Sequence, residues 1–147
     1  MGDTRKDNHD KKGSAGAITF ETGNLTQSEL TALLNSLPID ISFVDKDDTV
    51  RYFNQAKDRI FPRTKAVIGR AVQNCHPGKS VDKVQAILDG FRDGTLPLAE
   101  FWIPMGEKLV FIRYFPVRDA AGDYLGCLEV TQDIAPIKKI EGEKRLL

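Results

Sequence analysis

Apolar side chains recur along this chain in two periods, and the switches between them mark its elements. Leu30, Leu33, Leu34 and Leu37 fall three and four apart, which predicts one stripe of a short amphipathic helix. Thr26 and Glu29 open that helix with a capping-box pattern, and Leu25 and Leu30 hold the positions of a hydrophobic staple. Pro38 disfavours helical backbone at Leu37 and ends the element. Ile39, Ile41 and Phe43 then alternate with Asp40 and Ser42, so residues 39–45 read as a strand with its apolar face buried. The turn Lys46-Asp47-Asp48 leads to a second strand at residues 49–53.

Residues 54–78 have no sustained period and carry the breakers Asn54, Pro62, Gly69, Pro77 and Gly78, so short helices are expected there. Ser80 reads as the cap of the clearest helix, whose stripe is Val81, Val84, Ile87, Leu88 and Phe91, with Gly94 as its stop. Three strands follow at about residues 98–103, 108–118 and 124–132, the first two joined through Met105-Gly106-Glu107. On the middle one, Leu109, Phe111, Arg113, Phe115 and Val117 share one face and Val110, Ile112 and Tyr114 the other. Two apolar faces predict a cover on the outer side, either the leading leucine helix or a second protomer. Asp133 is placed to start an outgoing helix with Pro136 in its first turn, and Ile137, Ile140, Lys144 and Leu147 fit a seam along it.

This order of strand, strand, helices and three strands predicts an α+β fold, an antiparallel sheet with helices on one face. The expected organisation is a disordered lead over residues 1–18, which are charged and poor in large apolar groups. An N-terminal flanking helix follows in 19–37, then the domain in 38–133 and an exit helix and linker in 134–147. The lead contains His9.

Composition adds exclusions. The 147 residues carry 21 basic and 21 acidic side chains, so no overall field draws the chain to nucleic acid or an anionic membrane, and neither is expected as a partner. No apolar run approaches the roughly 20 residues of a membrane-spanning helix. Two cysteines make no disulfide framework, and a cytoplasmic, reduced setting is expected.

Five strings carry a family resemblance: LPIDISFVDKDDTVRYFN (37–54), RIFPRTKAVIGRAVQNCHPGKSV (59–81), AEFWI (99–103), IRYFPVRD (112–119) and YLGCLEVTQDI (124–134), continued by EGEKRLL (141–147). Together they resemble a PAS domain. More closely, they resemble the PAS module at the C-terminal end of bacterial proteins that also carry hemerythrin-like cation-binding domains. The resemblance implies a five-stranded antiparallel sheet in the order 2-1-5-4-3, with short helices over its inner face and flanking helices at both ends. It further implies a sensor of small molecules, redox state or light, often dimeric and without catalytic activity. Gly78 departs from the pattern, which has a second proline after Cys75-His76-Pro77. No hemerythrin-like bundle is present in this chain, so that part's iron chemistry does not transfer.

Cys75 and His76 are the one concentrated piece of chemistry. His76 is a candidate axial ligand for haem, because its segment precedes the long helix, near where some haem-binding PAS domains supply theirs. Cys75 is a candidate redox-reactive thiol. Neighbouring side chains in extended backbone point apart, so the two are not expected to share a metal, and no further His or Cys cluster completes a zinc site. Phe91, Trp102 and Arg113 join Cys75 and His76 as candidate pocket residues, with Arg113 suited to a ligand carboxylate or, alternatively, to pairing with Glu100 or Glu129. No nucleophile–base constellation is visible, and no enzyme is expected. The reading is a sensory module that binds a small molecule or cofactor and relays it through its flanking helices. The alternatives are a ligand-free dimerisation module and a haem or redox sensor.

Overall fold

The computed structural model describes residues 16–76 and 78–147, so His9, Pro77 and nearly all of the expected lead lie outside the described residues. Strands β1 (Ala17–Phe20) and β2 (Gly23–Thr26) form a small hairpin of their own, in which Ile18 lies opposite Leu25. Helix α1 (Gln27–Ser36) follows. Five strands make the main sheet: β3 (Asp40–Asp45), β4 (Val50–Phe53), β5 (Ala99–Met105), β6 (Lys108–Arg118) and β7 (Tyr124–Asp133). Between β4 and β5 lie two 3-10 turns, Lys65–Val67 and Val72–Cys75, and helix α2 (Gly78–Asp93). A single helical turn, α3 (Ala135–Lys138), leaves the last strand.

The order across the sheet is β4-β3-β7-β6-β5, every neighbouring pair antiparallel, which is the order 2-1-5-4-3 expected for the five strands. Helix α2 lays Leu88 and Phe91 onto Val44, Val50, Val72 and Cys127, with Val84 and Ile87 beside them. Its stop is as read: Gly94 takes φ +79, a conformation that glycine adopts without steric cost. No helix among the described residues is long and apolar enough to cross a membrane.

Five local expectations are corrected. The hairpin β1–β2 occupies residues expected as lead and helix. Its short alternation of Ile18 and Phe20 with Thr19 was outweighed by the polar composition around it, and both apolar side chains remain over 40% exposed. The capping box forms as expected, with Glu29 N donating to Thr26 Oγ1 (3.1 Å) and Thr26 N to Glu29 Oε1 (2.8 Å). The leucine stripe behind it is not a deep seam, however, since no α1 residue is buried and Leu33 is 49% exposed. Ser80 lies inside the first turn of α2, which begins at Gly78, so it is not the cap. The exit helix ends after four residues, leaving Ile140 and Leu147 in solvent. A single helical turn does not propagate without packing, because nucleation is costly and an isolated turn has almost no bonds to offset it.

The fifth correction concerns β3 and shapes the site. Its burial runs buried, intermediate, buried from Asp40 to Asp45, so Asp40, Ser42 and Val44 face the helices while Ile41 and Phe43 face away. Alternation shows that a strand has two unlike faces, and here the polar one is turned inward.

Candidate functional site

The register of the sheet brings unlike chemistry to the inner face in rows. Val44 lies opposite Cys127, Ser42 opposite Glu129 and Asp40 opposite Thr131, with Tyr114 of β6 next to Glu129. The Val44–Cys127 end is packed by α2 and is apolar. The Asp40–Thr131 end is covered by the crossing segment after β4, and that segment brings in two arginines.

Asn54, 1% exposed, anchors the start of the crossing. Its Nδ2 donates to the Leu34 and Ile39 carbonyls (2.9 and 3.0 Å), and its Oδ1 accepts from Ile41 N (2.8 Å). One buried amide thereby ties the end of α1 to the beginning of β3. Arg59 donates to the Asn54 and Phe61 carbonyls (2.7 and 2.9 Å) and stacks 5.3 Å from the Phe53 ring. Burial makes its charged form costlier and moves its pKa down. Asp40, 4% exposed, accepts from Ile60 N (2.7 Å) and Phe61 N (3.3 Å), so the loop is held by a buried carboxylate. Further along, Arg63 pairs with Glu129 at 3.3 Å, with side chains 17% and 16% exposed. Arg63 Nε and Thr131 Oγ1 are buried without a protein hydrogen-bond partner. Such groups are uncommon in native proteins, because each bears an uncompensated desolvation cost.

His76 is half-buried and lines a cavity of about 20 Å³ together with Val44, Leu88, Tyr114, Cys127, Glu129 and others. Burial is the main cause that lowers the His76 pKa, opposed by the nearby Glu129 charge and reinforced by Arg63, so the ring is held toward its neutral form. Burial likewise pushes the Tyr114 hydroxyl up, and the Cys127 thiol up to about 12. Cys127 is therefore a protonated core residue. Cys75, at the end of its 3-10 turn, is half-buried and directs its thiol to the Ala71 carbonyl at 3.8 Å.

The five candidates thus separate. Cys75 and His76 sit beside the inner cavity, and Phe91, fully buried, belongs to the core under it. Trp102 and Arg113 are on the other face of the sheet, which corrects their placement in a pocket. Trp102 lies opposite Phe111 in the β5–β6 register and is 64% exposed. Arg113 lies between the Phe111 and Phe115 rings (5.1 and 5.4 Å) and donates to Gln132 Oε1 at 3.1 Å. Haem does not fit beside His76 in this conformation: about 20 Å³ accommodates one water, whereas small-molecule sites span roughly 300–1,000 Å³. Among the described residues no cluster of three His, Cys, Asp or Glu side chains could hold a metal ion.

Asp40, Ser42, Arg59, Arg63 and Thr131 were not singled out from the sequence. The available signal was the polar half of the β3 alternation, together with two arginines in a stretch otherwise read as turns.

The family model described as PAS domain matches residues 30–135. Among solved structures, the C-terminal domain of a Streptococcus mutans protein is 36% identical with a TM-score of 0.80, over 85% of this chain and 97% of that one. A PAS domain from Colwellia psychrerythraea shares the fold at 12% identity and a TM-score of 0.54, over 74% and 97%. A sensory box sensor histidine kinase from Vibrio cholerae does so at 15% and 0.52, over 71% and 87%. Among curated proteins, none matches the chain significantly. With the family matched from the leucine helix to the exit turn, and with the strand order that family requires, the chain belongs to the PAS domain family.

Proposed function

We propose that this PAS domain is a sensory module of signal transduction, in which a small polar molecule binds between the inner sheet face and the crossing segment at residues 54–76. The observation carrying this reading is the partly buried Arg63–Glu129 pair, in which Glu129 lines the cavity and Arg63 Nε is unpartnered. A module that only associates gains more from filling this space with apolar side chains, since a buried ion pair offsets its desolvation poorly. A ligand carrying both an acceptor and a donor would intercalate in the pair, and the crossing segment would move outward to admit it. Asn54 connects that segment to the end of α1, which is the route by which occupancy would alter the flanking elements. The module senses rather than catalyses, and its setting is the cytoplasm.

The reading extends to the assembly and the parent chain. The outer sheet face presents Ile41, Phe43, Phe111, Phe115, Leu128 and Trp102, and a second copy of the domain would cover it as a homodimer. The 36% identical neighbour, itself a C-terminal domain, supports a place at the C-terminal end of a larger protein, and its association with a hemerythrin-like domain rests on the sequence resemblance alone.

The test is a melting-temperature screen of the intact chain against a library of cellular metabolites, run in parallel on Arg63→Ala. A compound that raises the melting temperature of the wild type and not of the variant bears the reading out. A screen with no such compound, together with a purified protein free of bound small molecules by mass spectrometry, leaves the ligand-free dimerisation module as the better description.

A further inference from the structure

A second concavity lies at the Asp40–Thr131 end of the inner face, and His76 does not line it. Its walls are the end of α1 (Asn35 to Leu37), the Ala56–Asp58 loop, Lys108 at the start of β6 and Pro136 of α3, and it has a volume of about 660 Å³. That volume is in the range of small-molecule sites. Its floor is the inward end of the sheet, where Asp40 is the register partner of Thr131 and Asp133 lies two residues further along the same face of β7.

The floor consists of acceptors. Thr131 is 1% exposed, and its hydroxyl has no protein partner. The two backbone bonds to the Asp40 carboxylate both reach Oδ2. The bonds to Asp133 both reach Oδ1, from Leu109 N (3.1 Å) and Ala135 N (3.0 Å). Two carboxylates and a hydroxyl on neighbouring inward positions call for a cationic donor group, whereas the rim carries the exposed amines of Lys57 and Lys108 beside the exposed carboxylate of Asp58. A molecule that satisfies both has an ammonium at one end and a carboxylate at the other.

We propose that this cleft binds a free amino acid or a closely related small zwitterion, with its ammonium on Asp40, Thr131 and Asp133 and its carboxylate toward Lys57 and Lys108. Occupancy has a direct path to the output end of the domain. Asp133 is both a wall of the cleft and the acceptor for the first amide of α3, and the opposite wall is the end of α1. A ligand that holds Asp133 therefore favours one arrangement of the two flanking elements over others, which is the differential affinity a population shift requires.

The experiment is isothermal titration of the intact chain with each standard amino acid, with cadaverine as an amine lacking a carboxylate and butyrate as a carboxylate lacking an amine. At least one amino acid should bind more tightly than both controls. Thr131→Val, which keeps the side-chain volume and removes the unpaired hydroxyl, should weaken that binding at least tenfold while raising the melting temperature of the free protein. Lys108→Ala, at an exposed position, should weaken it several-fold. Absence of binding by every amino acid up to roughly 10 mM, a level above the weakest useful affinities, overturns the proposal. So does unchanged affinity in both Thr131→Val and Lys108→Ala, or butyrate binding as tightly as the best amino acid.

Discussion

The inner and outer faces of the five-stranded sheet exchange the roles that their residue types suggest. Outward lie Ile41, Phe43, Phe111, Phe115 and Trp102, interrupted by Arg113; inward, at the β3–β7 end, lie Asp40, Ser42, Glu129 and Thr131. The inner face is itself divided, because α2 covers the Val44–Cys127 end with Leu88 and Phe91, while a loop with two arginines covers the polar end. A sheet face covered by a helix stripe can be apolar throughout. A face covered by irregular backbone must also satisfy that backbone's donors, and Asp40 does so for Ile60 and Phe61.

The largest expected effect breaks both faces at once. Gly126 takes φ +152, and a Cβ there would stand 2.1 Å from the Val44 carbonyl, between β7 and β3. Gly126→Ala should cost more than about 4 kcal/mol, seen as loss of the cooperative urea transition or of soluble protein. A normal transition would show that the two strands can separate, and the division into faces would lose its rigid basis.

Next in size is the polar end. Arg63→Ala leaves Glu129 largely buried without its partner and should cost about 3 kcal/mol in urea unfolding, somewhat less where solvent reaches the pair. The double replacement Arg63→Met with Glu129→Leu should recover most of that stability. If it does not, the pair is a structural necessity and the contrast with the apolar end weakens.

On the outer face, Trp102→Glu should change monomer stability by no more than about 0.5 kcal/mol, because the ring is 64% exposed. It should nevertheless lower the sedimentation coefficient by weakening self-association. An unchanged sedimentation profile would remove the second copy from this face.

The smallest effect is a pH dependence. The folded-state pKa of His76 is lowered from 6.5 by burial, so the unfolded chain takes up a proton at higher pH than the folded one. Stability from this group is present above pH 6.5 and is lost as pH falls toward the lowered value. His76→Gln should flatten the dependence of the melting temperature between about pH 7 and 5, and an unaltered slope would mean that other groups cause it.

The periodicities were informative wherever an element is decided locally. The succession of strands and helices in the domain, the α2 stripe and its glycine stop, and the capping box at Thr26 all follow from spacing and short-range chemistry, whereas the order of strands across the sheet came with the family resemblance. The flanking elements were less legible: α3 stops after one turn, with Ile137 53% and Ile140 74% exposed, and a seven-spaced pattern carries no information about a missing partner. The candidate site was the least legible part. Cys75 and His76 stood out as reactive residue types, yet the charged groups that surround the cavity come from three separate stretches of chain.

By itself the sequence determined the class of fold, the family and the five strands of the main sheet, because these depend on period, turn chemistry and strings of residues. Only the tertiary structure decided which face of β3 turns inward, since alternation is symmetric until a partner covers one side. It also decided that Arg63 meets Glu129 across 66 residues of chain, and that Asp40, Thr131 and Asp133 lie together at the inward end of the sheet. Those juxtapositions are set by sheet register, which is a property of paired strands and of no single segment.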